Sequence, residues 1–241
     1  MSTARPQWIR CPCSATFQAE LFESLHVSRR PDLREQILDG TFHRFTCPSC
    51  GEPMVLERRL AYTDFARRQW FTVYPRIDLR HRDELAAFAR RSFEMTMQER
   101  APELVQGWAE EMRQRAVFGL ASLREKLVIF EAGLDDRFIE LLKLQLCQEG
   151  LPAMHADAYF HVTAVDSEAI LFEVAPPPAQ LSRERSMPRE LAVPRERYVM
   201  VELQRDELRD HVPWLRDELV VDYRMLLAPS IPLVPAQGAL S

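Results

Sequence analysis

Lysine is almost missing from this chain of 241 residues: of its 31 basic side chains only Lys126 and Lys143 are lysines, and all the others are arginine. A skew that general reads as a compositional habit, and the formal net charge of -5 gives no overall pull toward nucleic acid. Long apolar runs are missing as well. No stretch approaches the roughly 18 apolar residues of a membrane span, and MSTARPQWIR at the N-terminus lacks the apolar centre of a secretory leader. Nor is there a phosphate loop, a dinucleotide fingerprint or a serine elbow. These absences predict a cytoplasmic protein without membrane association and without a recognisable catalytic motif. Hydrophobic residues make up 46% of the chain, enough for the core of one or two domains.

Cysteine is scarce but not scattered. Cys11 and Cys13 form one tight pair, Cys47 and Cys50 another, and Cys147 stands alone. In a reducing compartment disulfides rarely persist, so clustered cysteines point to metal ligands or redox-active thiols. Cys11 and Cys13, with only Pro12 between them, are too close for a relaxed disulfide. CPSCG at 47–51 has the form of a zinc knuckle: two intervening residues let both thiolates meet one tetrahedral ion, and turn amides can point back at the first sulfur. Gly51 can take positive φ and turn the chain away from the metal. A closed structural zinc site needs four ligands, and the CPC pair supplies the two that the knuckle lacks. The predicted site is therefore zinc on Cys11, Cys13, Cys47 and Cys50. Four exposed thiols without a metal would be an oxidation liability. His43, four residues before Cys47, reads as a strand histidine near the surface, because the cysteines already complete the ligand count.

The predicted fold class is α+β, with a zinc-ribbon-like N-terminal β module over residues 1–78, a helical and α+β region over 79–228, and a disordered tail over 229–241. In the module, 15–27 reads as a strand and Pro31 to Gly40 as a short helix with Leu33, Ile37 and Leu38 on its apolar face. FHRFT at 42–46 then delivers the chain to Cys47, and 54–63 and 70–75 form a strand pair. Residues 81–97 read as a helix, Glu103 to about Phe130 as a second long one with Leu104, Trp108 and Met112 at four-residue steps, and a third follows Asp135. YFHVTAV (159–165) and AILFEV (169–174) read as a hairpin, 175–197 as an exposed connection, and YVMVEL (198–203) as a strand. An amphipathic helix over 205–227 carries Trp214, Leu219 and Tyr223.

From Cys11 to Tyr74 the chain carries CPC, a short helix ending in ILDG, FHRFTCPSCG and then LAYTD, and this order resembles the CpXC domain family of bacteria and archaea. LREKLVIFEAGLDDRFIELLK (123–143) is similar to a block of the longer members, so the resemblance covers most of residues 10–145. It implies zinc binding by the same four cysteines and no particular activity. The first pair departs from the pattern: CPC is one residue shorter than CPxC, and Ser14 stands where Gly is expected. A shorter loop offers fewer amides to the sulfurs. The order CxC, some thirty residues, CxxC also resembles the zinc-centred switch of redox-activated heat-shock chaperones, there at the C-terminus.

Other residues have a functional and a plainer reading. Asp135 and Asp136 can be a catalytic carboxylate pair, but their place at a helix start favours capping. His155, Asp157 and His161 share a strand face without a fourth ligand. Cys147 sits on an apolar helix face as a small buried residue. Arg58, Arg59, Arg67 and Arg68 can meet phosphate, though aromatic interleaving is thin. The expected role is a non-catalytic interaction or regulatory protein with a protein partner. A redox-sensitive zinc switch or chaperone-like protein and a zinc-ribbon nucleic-acid binder are the alternatives, and an enzyme whose site assembles only in three dimensions stays open.

Overall fold

The computed structural model describes residues 2–149, 159–175, 189–209, 212, 215 and 219–222. Strand β1 (Thr3–Arg10) and strand β2 (Thr16–His26) form an antiparallel hairpin, with Arg10 opposite Thr16 and Ile9 opposite Phe17. The β1 strand carries no clean alternation that would announce it in the sequence; β2 supplies the buried side chains Ala19, Leu21 and Leu25. Helix α1 (Pro31–Asp39) starts with proline in its first turn, where a missing N–H costs nothing. It stops at Gly40, whose φ of 77° lets its N–H bond back to the carbonyls of the last turn. Strands β3 (Arg44–Thr46) and β4 (Pro53–Val55) make a separate two-stranded hairpin. Strands β5 (Leu60–Asp64) and β6 (Gln69–Tyr74) return to the main sheet. The single strand predicted over 54–63 is thus two, lying in different sheets.

A 3₁₀ turn (Arg76–His81) leads into helix α2 (Arg82–Phe93), which runs on into a π-helical turn (Glu94–Glu99). The long helix expected from Glu103 to Phe130 is corrected. The chain forms helix α3 (Glu103–Ala109), strand β7 (Arg113–Phe118) and helix α4 (Leu120–Glu131). Strand β7 lies parallel to β6, with Gln69 opposite Arg113 and Tyr74 opposite Phe118. Val117 joins the core on the α4 side while Ala116 and Phe118 join the α2 side, a period of two that only the neighbouring strand reveals. Gly119, at φ 100°, makes the strand-to-helix corner that a continuous helix would not contain.

The main sheet has the order β1-β2-β5-β6-β7, with the β2/β5 and β6/β7 pairs parallel and the others antiparallel. It therefore draws strands from both sides of residue 78. Helices α1 and α4 cover one face through Leu33, Ile37, Leu123 and Leu127, packed on Leu25, Leu60, Phe71 and Val73. On the opposite face α2 places Ala89 against Tyr74 and Phe118. Helix α5 (Asp136–Gln148) follows, and a second sheet, of strands β8 (Tyr159–Val165), β9 (Ala169–Ala175) and β10 (Arg189–Pro194) in the order β10-β9-β8, packs its Phe160, Val162, Ile170 and Phe172 against α5. Strand β8 (Tyr159–Val165) and strand β9 (Ala169–Ala175) match the expected hairpin.

The next segments are corrected. Arg189–Pro194 is strand β10, with Val193 opposite Ile170, in place of an exposed connection, and Arg195–Leu203 is helix α6 in place of a strand. Tyr198 and Val201, three apart, put one helical face inward. Helix α7 (Arg205–Leu208) is short, and Leu219–Asp222 is not helical; the carbonyl of Leu219 accepts from the Ala116 N–H at the β7 edge. Trp214, Tyr223 and the tail over 229–241 lie outside the described residues. The architecture is α+β throughout. Among the described residues no helix is long and apolar enough to cross a membrane.

Candidate metal centre

Two tight turns carry the paired cysteines. The first closes the β1-β2 hairpin: the Cys11 N–H donates to the Ala15 carbonyl (2.9 Å) and the Ser14 N–H to the Cys11 carbonyl (2.8 Å). The second joins β3 to β4: the Cys47 N–H donates to the Glu52 carbonyl and the Gly51 N–H to the Cys47 carbonyl, both at 2.9 Å. The turns are counterparts. Ser14 and Gly51 each follow the second cysteine, each bond back to the first, and each hold positive φ, 72° and 76°. Gly51 does so without strain, whereas Ser14 pays the Cβ clash that glycine avoids.

The four sulfurs converge. Cys11 Sγ lies 3.6 Å from Cys50 Sγ, Cys13 Sγ lies 3.7 Å from Cys47 Sγ, and all four fall within 4.8 Å of one another. A metal–thiolate bond of about 2.3 Å gives a tetrahedron with edges of about 3.8 Å. Both of these contacts run between the turns, so a single ion would clamp one hairpin to the other. No disulfide is present among these residues. The first cysteine of each pair is buried, Cys11 at 2% and Cys47 at 1% exposure, and the second is exposed. This set can hold a metal ion.

Backbone amides prepare the sulfurs unequally. The Cys50 and Ser49 amides bond to the Cys47 sulfur and, against burial, bring its thiol down to about 6. Cys11 has one such amide, from Cys13, and burial together with the three neighbouring thiols pushes it up to about 12. At Cys50 the Glu52 amide works downward, but the Cys13 thiol and burial leave it raised. The shorter CPC turn thus offers fewer donors, as its length requires.

His43 stays out of the cluster. It is buried, not near the surface, and sits ahead of β3 at φ 53° with its Nε2 accepting from the Phe22 N–H at 2.9 Å. Its ring stacks on Phe42 at 4.0 Å, and burial lowers its basicity to about 4. Cys147 is half-buried against the apolar core of α5, and burial raises its thiol to about 11. Of the four module arginines, Arg58 pairs with Glu23, Arg67 with Asp64 and Glu131, and Arg68 with Glu111, while Arg59 lies over the Phe88 ring. His155 and Asp157 lie outside the described residues; His161 Nδ1 is 3.1 Å from Glu125 Oε2.

Asp135 and Asp136 have separate tasks. Asp135 caps α5 by accepting from the Arg137 N–H (2.9 Å). Asp136 is fully buried and takes the Arg115 guanidinium bidentately, at 2.9 and 2.7 Å, with Lys126 Nζ at 3.0 Å. From there a chain of alternating charge crosses the interior. Lys126 meets Glu140 at 3.1 Å, Glu140 meets Lys143 at 3.0 Å, Lys143 meets Glu125 at 2.6 Å, and Glu125 meets His161. Both lysines of the protein stand in this chain, at 3% and 1% exposure. Burial alone would discharge them, but the flanking carboxylates outweigh it and raise both. The cluster also ties in backbone: Glu125 accepts from the Val162 N–H and Lys126 donates to the Val221 carbonyl. Of these carboxylates the sequence singles out only Asp136, as half of the Asp135–Asp136 pair at a helix start. Two lysines among so many arginines, both in one block, were the available signal.

Residues 9–143 match the model of the CpXC protein family. No curated protein and no solved structure matches the chain.

Proposed function

The chain belongs to the CpXC family, and on that footing we propose that Cys11, Cys13, Cys47 and Cys50 hold one zinc ion in a structural role. The carrying observation is the convergence of four sulfurs from two turns at distances near a tetrahedral edge. Four thiolates fill a tetrahedral zinc completely, leaving no position for water or substrate, so the ion's chemistry is to staple the two hairpins. Thiolate softness and tetrahedral geometry favour zinc over magnesium or calcium. A reducing, cytoplasmic setting keeps the cysteines available as ligands. The zinc-stapled sheet then acts as a non-catalytic platform for a protein partner. Metal analysis of the purified full-length protein tests this reading: one zinc per chain is expected, and loss of that zinc in the Cys47→Ser, Cys50→Ser variant. A protein that never carries metal in stoichiometric amount sinks it.

A second reading rests on exposure. Cys13 and Cys50 face solvent and each lies close to a buried cysteine of the other turn. Two equivalents of hydrogen peroxide would take four electrons from the four thiolates and be reduced to water, forming the Cys11–Cys50 and Cys13–Cys47 disulfides and releasing the zinc. A zinc-sensitive dye with a hydrophobic probe separates the readings: release at low peroxide with new apolar surface marks a switch, and resistance marks a staple.

A further inference from the structure

We propose that the open edge of β7 is a binding groove for oligophosphates, a site separate from the cysteine cluster. Among the described residues, strand β7 ends the five-stranded sheet and has only β6 beside it over Arg113–Arg115. A groove of about 470 Å³ runs along this edge between α2 and α5. Arg113 and Arg115 from the strand, Arg90 from α2 and Arg137 from α5 line it, against Glu94 and Glu111. A second groove of about 390 Å³ adjoins it at Arg113 and Glu111 and adds Arg67 and Arg68.

Three features distinguish this groove from the general arginine content of the surface. First, Arg115 is nearly buried, and its bidentate bond to Asp136 fixes the guanidinium plane before any ligand arrives. Lys126 supplies Asp136 with a second positive charge from behind. The acidic partner of Arg115 is thus shared between two cations. A buried chain of six ionised side chains is costly to build and is commonly no more stabilising than apolar packing. Its use here is to deliver a fixed cation to one end. Second, Arg113 and Arg90 have no carboxylate partner among the described residues; Arg113 lies over the Phe130 ring at 4.2 Å. Both are exposed. Third, the strand edge adds a backbone donor. The Ala116 N–H points outward to the Leu219 carbonyl, while the Arg113 N–H points inward to the Arg68 carbonyl. By strand alternation the Gln114 N–H shares the outward side with Ala116 and faces the groove, which Gln114 also lines.

Guanidinium groups match phosphate oxygens in pairs and hold them more specifically than lysine can. The cations here follow one another along the strand edge, and the floor offers little aromatic surface for stacking bases. A short run of phosphate groups fits this better than single-stranded nucleic acid, which needs stacking platforms.

The test is calorimetric titration of the full-length, metal-loaded protein with inorganic tripolyphosphate at low and moderate salt, with sulfate as the matched simple anion. Tripolyphosphate is expected to bind with one site per chain and to outcompete sulfate. Arg113→Gln and Arg90→Gln should each weaken it about tenfold, the value of one charge-assisted hydrogen bond. Arg44→Gln, on the exposed face of the β3-β4 hairpin, should leave it unchanged. Both groove arginines are exposed, so the variants keep the fold. ATP as a second probe separates free phosphate chains from nucleotides: equal affinity supports a site for phosphates alone, and tighter ATP binding supports a phosphate site extended by a nucleoside. Absence of tripolyphosphate binding at low salt overturns the proposal, as does an equal loss on Arg44→Gln, which would mark diffuse charge attraction.

Discussion

Replacing Cys47 by serine removes a buried thiol to which both turn amides are directed, and its consequence is expected to be local. The β3-β4 hairpin pairs only three residues on each side, one of them Pro53 without an N–H. A two-stranded ribbon of that size does not hold on its own. Its ties to the rest are Phe42 in the core, the His43 bond to Phe22 and the cysteine cluster. A structural zinc contributes on the order of 10 kcal/mol to the elements it joins. The main sheet does not share this dependence, since Leu25, Leu60, Phe71 and Val73 pack on α1 and α4 without the metal. Hydrogen exchange on the full-length variant is the assay. The Cys47, Gly51 and Leu56 amides, which close the hairpin in the parent, should lose at least about 1,000-fold protection, equivalent to about 4 kcal/mol. The central β5 and β6 amides should keep most of theirs. Retention of one equivalent of zinc by Cys47→Ser would refute the ligand assignment, and undiminished protection at the three hairpin amides would refute the dependence of this hairpin on metal.

The buried charges give further expectations. Lys143→Met leaves Glu125 and Glu140 short of a partner and should cost about 3–5 kcal/mol in urea unfolding; a loss below about 1 kcal/mol would show that these charges are not paired inside the fold. Burial would raise the Glu125 and Asp136 carboxyls, but Lys143 for the first and Arg115 for the second hold both below the usual carboxylate range. Their contribution is complete above the unfolded value near pH 4 and is lost as the pH falls through and below it. The raised lysines contribute fully below about pH 10.4 and lose that contribution as the pH climbs beyond it. His43, lowered to about 4, must be charged in acid. It therefore subtracts stability as the pH drops from about 6.5 to 4, and His43→Gln should flatten the stability curve in that window. Asp135→Ala should cost about 1 kcal/mol by removing the α5 cap, read as a shift in the urea midpoint.

Local chemistry made much of this protein legible from its residues. Pro31 and Gly40 bracket α1, Asp135 opens α5, Gly51 turns the knuckle, and the β8-β9 hairpin follows from its alternation; each is set by the φ a residue accepts or by a side chain reaching its own backbone. The two cysteine pairs belong to the same class, since spacing alone brings two thiols to one turn. What spacing does not set is whether distant turns meet. That depended on the β1-β2 and β3-β4 hairpins being packed together, and β1 has no alternation of its own to announce it. Strand β7 was hidden for a related reason: Arg113–Phe118 follows a helical stretch, and only pairing with β6 makes its period of two energetically better than a helix. The same pairing carries Arg115 to Asp136 and creates the exposed edge. The charge chain is the plainest case of tertiary decision. Glu125, Lys126, Glu140 and Lys143 belong to no catalytic or metal motif and Asp136 reads as part of a helix start, because neighbours in sequence cannot reveal that a second sheet will close over them and make each charge require a partner.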